Sequence, residues 1–178
     1  KSLPGIAPDG KVILTSDEIL QLREVPKSLI VIGAGAVGIE FASMFARFGS
    51  TVTVIEMLPR ILPLEDEEIS AEAHKVLAKH MTIHTGAKTE AALKTAGGVE
   101  VGFRDAKGES KTVTAELLLV AVGRGPVTDG LNLESTKVQL DRGYVKTNHL
   151  MATDEGGVFA IGDVVALPDR AHPQLAHV

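Results

Sequence analysis

Residues 28–56 constrain the fold of this chain more than any other stretch. They open with Ser28-Leu29-Ile30-Val31-Ile32, a short apolar run rich in β-branched residues, as a buried parallel strand requires. Gly33-Ala34-Gly35-Ala36-Val37-Gly38 follows without a break, giving the spacing Gly-x-Gly-x-x-Gly. A helical pattern opens inside that turn, with Val37, Phe41, Phe45 and Phe48 predicted on one face and Gly49 as its stop. A second β-branched run, Thr51-Val52-Thr53-Val54-Ile55, then ends in an acid, Glu56.

Each residue type in this order has a physical task. Gly33 permits a tight strand-to-helix turn, Gly35 lets a ligand approach the backbone, and Gly38 lets helix and strand pack closely. The amino end of the helix offers unpaired N–H groups and a partial positive charge, which suit a pyrophosphate. The candidate nucleotide-contacting stretch is therefore Gly33, Ala34, Gly35, Ala36, Val37, Gly38 and Ile39. Glu56 stands at the end of the second strand, where a carboxylate binds ribose hydroxyls and repels a 2′-phosphate. Neither Met57 nor Leu58 is basic, and Arg60 comes only after Pro59, so the pattern favours NAD over NADP. A glycine-rich turn that merely packs would not need strand, helix, second strand and terminal acid to agree.

Composition narrows the rest. With 3% aromatic residues, the core must be built from Val, Ile, Leu and Ala. A net charge of −5 and the lack of a basic tract argue against a nucleic-acid partner. No apolar run approaches the roughly 20 residues that a membrane span needs. No signal-peptide pattern appears, and the absence of cysteine removes disulfides, thiolate metal sites and thiol nucleophiles, so a cytoplasmic location is expected. His74, His80 and His84 lack ligand spacing on one face, and no metal site is expected. The chain begins at Lys1 and ends in Leu175-Ala176-His177-Val178, which has the look of a helix just opening, so a piece of a longer protein is expected.

Several other segments carry recognisable signals. Thr15-Ser16-Asp17-Glu18 has the form of a capping box, predicting a short helix to Leu22 or Arg23. Glu65-Asp66-Glu67-Glu68 opens another helix, with Lys75, Lys79 and His80 towards its far end and a predicted apolar stripe of Ile69, Ala73, Val76 and Leu77. The acidic run reads as a solvated first turn. Met81-Thr82-Ile83-His84 is strand-like, and two alternating runs, Val99-Glu100-Val101-Gly102-Phe103 and Lys111-Thr112-Val113-Thr114-Ala115, flank a turn at Asp105-Ala106-Lys107-Gly108. An antiparallel meander laid on one side of the parallel sheet is expected. Glu116-Leu117-Leu118-Leu119-Val120-Ala121-Val122-Gly123 is apolar on both faces, as a central parallel strand is, and it delivers Gly123 to the sheet edge where ligands gather. Gly157-Val158-Phe159-Ala160-Ile161-Gly162-Asp163 suggests another apolar strand ending in an acid. On spacing alone, Asp163 is equally a capping residue or part of a second site.

Taken together, these pieces resemble the central part of the dihydrolipoamide dehydrogenases, within the pyridine nucleotide–disulfide oxidoreductase family. The resemblance is carried by Leu3-Pro4-Gly5, Thr15-Ser16-Asp17-Glu18, residues 32–41, Glu56 before Pro59-Arg60-Ile61-Leu62-Pro63, Gly123-Arg124-Gly125-Pro126, Met151-Ala152-Thr153, Ala160-Ile161-Gly162-Asp163 and Gln174-Leu175-Ala176-His177. It implies an α/β fold: a Rossmann-like NAD-binding domain, with a parallel sheet and an antiparallel β-meander, flanked by partial FAD-domain segments. Residues 1–26 would leave the FAD domain, residues 27–143 would bind NAD, and residues 144–178 would return to the FAD domain. Asp163, Gln174, Leu175, Ala176 and His177 would then face FAD, while Ala87 and Gly123 would line the NAD site. Glu40 would support the nicotinamide–flavin contact, the plain alternative being an exposed helix acid.

The resemblance also implies what lies elsewhere. The redox disulfide Cys-x-x-x-x-Cys, the interface domain with its His–Glu base and the FAD pyrophosphate motif are not in this sequence, so no catalytic residue is expected here and the piece alone is expected to be inactive. The whole enzyme would be a homodimer that oxidises dihydrolipoamide on the lipoyl domain of 2-oxo acid dehydrogenase complexes. Two alternatives stay open: a mercuric-, glutathione- or trypanothione-type reductase of the same family, and a non-catalytic NAD-binding module.

Overall fold

The computed structural model describes residues 3–166, which fall into two compact units meeting at Gly123 and Arg124 in the sequence. In chain order the first unit contains strand β1 (Ile13–Leu14), helix α1 (Ser16–Ile19), β2 (Ser28–Ile32), α2 (Ala36–Arg47), β3 (Thr51–Ile55), α3 (Glu67–Leu77), β4 (Thr82–His84), β5 (Lys88–Thr95), β6 (Gly98–Arg104), β7 (Ser110–Ala115) and β8 (Leu117–Val120). Five strands make one sheet in the order β1-β8-β2-β3-β4, and every pairing in it is parallel. Three more, β5-β6-β7, make an antiparallel meander.

Strand periodicity sorts the core into two layers. Leu29 and Val31 of β2 share one cluster with Ile39, Ala42 and Phe45 of α2 and with Val52 and Val54 of β3. The alternate residues Ile30 and Ile32 share the other with Val99, Val101 and Phe103 of the meander and with Leu118 and Val120 of β8. The parallel sheet is thus apolar on both faces because helices cover one and the meander covers the other. The expected mixed α/β architecture is present.

Details depart from expectation in ways that packing explains. The buried residues of α2 are Gly38, Ile39, Ala42 and Phe45, whereas Phe48 is 60% exposed. Gly38 lets the helix sit close, and the stripe runs through it, with Phe41 half-buried and packed on the same core as expected and Phe48 left outside. On α3 the inward residue is Ser70, with Ala73 and Leu77 packed on the core, while Ile69 and Val76 face outwards. Asp66 caps α3 by accepting from the N–H groups of Glu68 and Ile69. The Thr15–Glu18 capping box forms, but α1 ends at Ile19. Met81–His84 does not start the meander: β4 extends the parallel sheet beside β3, and the polar run β5 is the meander's first strand. The early segment joins the sheet too, as β1 pairs with β8.

The second unit holds β9 (Leu140–Asp141), β10 (Tyr144–Lys146) and β11 (Val165–Ala166), in the order β11-β10-β9. Strand β10 runs parallel to β11 and antiparallel to β9. Residues 157–163 form no strand. They make one bridge, Ala152 with Phe159, and then a 3₁₀ turn at Gly162–Val164.

Candidate functional site

The path of the chain fixes where a ligand can sit in the first unit. From β2 the chain moves through α2 to β3 and on to β4 on one side, whereas β8 lies on the other side of β2. The strand order therefore reverses between β2 and β8, and the crevice beyond their carboxyl ends is the binding position of open α/β sheets. The glycine-rich turn leaves β2 at that point.

The three glycines do different things. Gly33 has φ +101°, and a β-carbon there would meet the carbonyl oxygen of Ala121 at 2.5 Å. A β-carbon on Gly38 would run into the carbonyl oxygen of Gly33. Gly35 has open space where its β-carbon would be. Gly35 is also the N-cap of α2 and supplies no side-chain cap to it. Two glycines are thus filled by protein, and the third faces room at an uncapped helix end, which fits an anionic group.

Glu56 is 7% exposed and holds the turn from the next strand. Its Oε2 accepts from the Ala34 N–H (2.6 Å) and its Oε1 from the Leu58 N–H (2.7 Å). The Ala34 carbonyl accepts from the Leu62 N–H (2.7 Å), and Leu62 adopts the left-handed region at φ 45°. Both backbone groups of Ala34 are therefore bound by the segment that follows β3. The backbone of Glu56 in turn donates to His84 (2.8 Å) and accepts from Ala87 (2.8 Å), which seats the buried Ala87 beside it. Sequence reasoning missed Leu58 and Leu62, because they act through backbone N–H groups that every residue but proline has.

Glu40 is exposed on α2, and Gly123, with φ +104°, follows the carboxyl end of β8. Arg60 Nη2 donates to the Pro63 carbonyl (3.0 Å), and its buried Nη1 lies 3.0 Å from Glu67 Oε1 without the alignment of a hydrogen bond. Its charge is committed to its own loop and to α3. In the second unit Asp163 is exposed, and its Oδ2 lies 3.7 Å from Arg124 Nη1. Gln174, Leu175, Ala176 and His177 lie outside the described residues.

A polar cluster at the edge of the meander was not singled out from sequence. The His84 ring lies 4.9 Å from that of Phe103. Burial, reinforced by the nearby Lys111 charge, pushes the imidazole below its usual pKa. Lys111 binds Asp105 at 2.6 Å and, helped by the Glu109 and Lys107 N–H groups, holds that carboxyl down to about 2. Among the described residues no group of three His, Cys, Asp or Glu side chains is placed to hold a metal, and no helix is long and apolar enough to cross a membrane.

Fold and crevice together define an α/β protein of the Rossmann-like kind, with a parallel sheet covered by helices on one face and by an antiparallel meander on the other. The family described as pyridine nucleotide-disulphide oxidoreductase matches residues 2–178, and this chain belongs to it. It is 43% identical to the dihydrolipoyl dehydrogenase of Bacillus subtilis (strain 168), over 97% of this chain and 37% of that protein. It is 42% identical to the mitochondrial dihydrolipoyl dehydrogenase 2 of Arabidopsis thaliana, over 97% of this chain and 34% of that protein. Among solved structures it resembles LpdA from Mycobacterium tuberculosis, with a TM-score of 0.81 and 31% identity over 94% of this chain and 36% of that one. The HOCl-induced flavoprotein disulfide reductase RclA from Escherichia coli gives a TM-score of 0.80 at 32% identity, covering 92% of this chain and 37% of that one. The chain thus spans little more than a third of the length of these relatives.

Proposed function

We propose that this chain is the NAD-binding portion of a dihydrolipoamide dehydrogenase, a flavoprotein that oxidises dihydrolipoamide to lipoamide and passes the electrons through a redox disulfide and FAD to NAD. Gly33, Gly35 and Gly38, with the N–H groups of Ala36 and Val37, form the pyrophosphate cradle, and Ile39, whose own N–H goes to the Gly35 carbonyl, backs it from the first turn of α2. Glu56 accepts from the adenosine ribose, and Glu40 and Gly123 serve the nicotinamide end. The bound nicotinamide supplies hydride-accepting chemistry, and the protein's part is to hold it in place and keep water out. Asp163, with Gln174, Leu175, Ala176 and His177, serves the FAD side, and the sheet that carries NAD includes β1. The whole enzyme is a homodimer acting in the cytoplasm on the lipoyl domain of a 2-oxo acid dehydrogenase complex.

One observation carries this function: the space over Gly35 at an α2 amino end that has no side-chain cap. The preference for NAD is supported by Glu56 at the end of β3 and by the commitment of Arg60 to Glu67 and Pro63. With no cysteine in the sequence, the chain by itself has no thiol to exchange with a dithiol substrate. Fluorescence titration of the chain with NADH and NADPH tests the assignment. NADH should bind the tighter of the two, and NADPH binding that equals or exceeds it overturns the NAD preference.

A further inference from the structure

We infer that Glu56 is a positioning residue for the glycine-rich turn, in addition to any contact it makes with a sugar, so that the turn is set in its ligand-binding shape before the ligand arrives. This deepens, and rests on, the nucleotide-binding role proposed above. The carboxylate does not point freely into the crevice. It is 7% exposed and bridges two backbone amides: Ala34 in the turn (2.6 Å) and Leu58 after β3 (2.7 Å). A carboxylate has about four acceptor positions and these bonds use two, so two remain for ribose hydroxyls.

The bridge matters because of what it fixes. Ala34 is the residue between Gly33 and Gly35, and Gly35 is the N-cap of α2. Holding the Ala34 N–H from Glu56 and its carbonyl from Leu62 fixes the two peptide planes that flank Ala34, Gly33–Ala34 and Ala34–Gly35, against turning over. The Gly35 backbone is then presented to the open side with its direction fixed. A charged acceptor is needed: a carboxylate accepts at both oxygens, whereas the amide of glutamine would set an NH₂ donor against one of two backbone donors. The length is needed as well, since aspartate is one methylene short of Ala34.

Nucleotide preference follows from the same bridge. Removing the negative charge at position 56 relieves the repulsion of a 2′-phosphate but also releases the turn that both nucleotides need. Glu56→Gln should therefore weaken NADH roughly tenfold to a hundredfold, the loss of a charge-assisted bond, without a gain for NADPH. Glu56→Asp keeps the charge but loses the reach, and it should behave like Glu56→Gln.

The test combines NMR of the unsubstituted chain with binding to the two variants. In the ligand-free protein a correlation through the hydrogen bond should join the Ala34 amide nitrogen to the Glu56 carboxylate carbon, and the Ala34 amide should exchange slowly with solvent. In both variants the Ala34, Gly35 and Ala36 amides should shift or exchange faster, while the Val99 and Val101 amides of the meander stay protected. A missing correlation together with a freely exchanging Ala34 overturns the inference without any variant having to fold. So does Glu56→Asp binding NADH like the unsubstituted protein, or Glu56→Gln gaining NADPH. If the unsubstituted chain shows the bridge but binds neither nucleotide, the positioning stands and the NAD assignment fails.

Discussion

The carbonyl oxygen of Gly33 occupies the place where a β-carbon on Gly38 would lie, so the start of α2 rests directly on the turn that leads into it. Gly35, between them, has nothing within 4 Å of the same point and an ordinary φ of −69°. The two positions should therefore separate stability from binding. Gly38→Ala forces helix and turn apart and should destabilise the chain by about 2–4 kcal/mol, in the range of overpacking combined with backbone displacement. Gly35→Ala should leave the unfolding midpoint within about 0.5 kcal/mol of its starting value, yet weaken NADH at least tenfold because the methyl group fills the ligand's space. Urea unfolding and NADH titration of both variants check this, and a Gly35→Ala protein that binds NADH normally would remove the main support for a pyrophosphate there.

Ser70 tests the loop that reaches the turn from the other side. Its Oγ donates to the Ile61 carbonyl at 2.6 Å, and both residues are buried. Ile61 precedes Leu62, whose N–H holds the Ala34 carbonyl. Ser70→Ala strands a buried acceptor and should cost about 1–3 kcal/mol. Because the loop is loosened near Ala34, NADH affinity should fall as well. Ser70→Ala with unchanged stability would mean that the Ile61 carbonyl finds another donor.

His84 gives the chain a pH dependence in the mildly acidic range. Burial against Phe103, with Lys111 nearby and only partly offset by Asp105, holds the imidazole below its ordinary value near 6.5. The unfolded chain then binds a proton more readily than the folded one. The stability from the neutral ring is complete above about pH 6.5 and is lost as pH falls from there towards the folded-state pKa. His84→Phe keeps a ring on Phe103 and removes the titration, so its melting temperature should change less between pH 7 and pH 5 than that of the unsubstituted protein. Calorimetry across that interval is the measurement, and parallel slopes for the two proteins would contradict the assignment.

How far the sequence revealed these features depends on whether side chains or backbone create them. The turn at Gly33–Gly38 was legible because only glycine suits two of its positions, and the parallel strands β2, β3 and β8 were legible because they are largely buried on both faces. The meander's second and third strands alternate and could be found. Its first, Lys88–Thr95, is mostly exposed and polar, and it is a strand because β6 offers it a ladder partner. On α3 the expected Ala73 and Leu77 do pack inwards, but Ile69 and Val76 do not, because a buried serine, Ser70, takes the inward place and bonds to a loop carbonyl. The apolar run at 157–163 suggested a strand, yet among the described residues it has one bridge in place of a ladder. In the site, the acid at position 56 was visible, but its bonds to Ala34 and Leu58 depend on where the loop returns, and residue types do not encode that.

Asp9 joins distant parts of the first unit. Its Oδ1 accepts from the N–H groups of Lys11, Val12 and Ile13 (2.9–3.0 Å), and its Oδ2 binds Lys94 Nζ at 2.8 Å. One carboxylate thereby shapes the turn into β1 and ties it to β5 of the meander. Lys94 first, and then the three amides, hold the carboxyl well below the usual carboxylate range. The folded state binds this proton less readily than the unfolded chain. The contribution is therefore complete above about pH 3.9 and is lost as pH falls through that value towards the folded-state pKa, separately from the His84 interval. At neutral pH Asp9→Ala leaves three amides without their acceptor and should cost about 1–3 kcal/mol. Lys94→Ala removes only a partner that is 58% exposed and should cost less than about 1 kcal/mol. Urea midpoints for the two variants at pH 7 distinguish these contributions, and a larger loss for Lys94→Ala would show that the ion pair to the meander, not the turn amides, carries most of what Asp9 contributes.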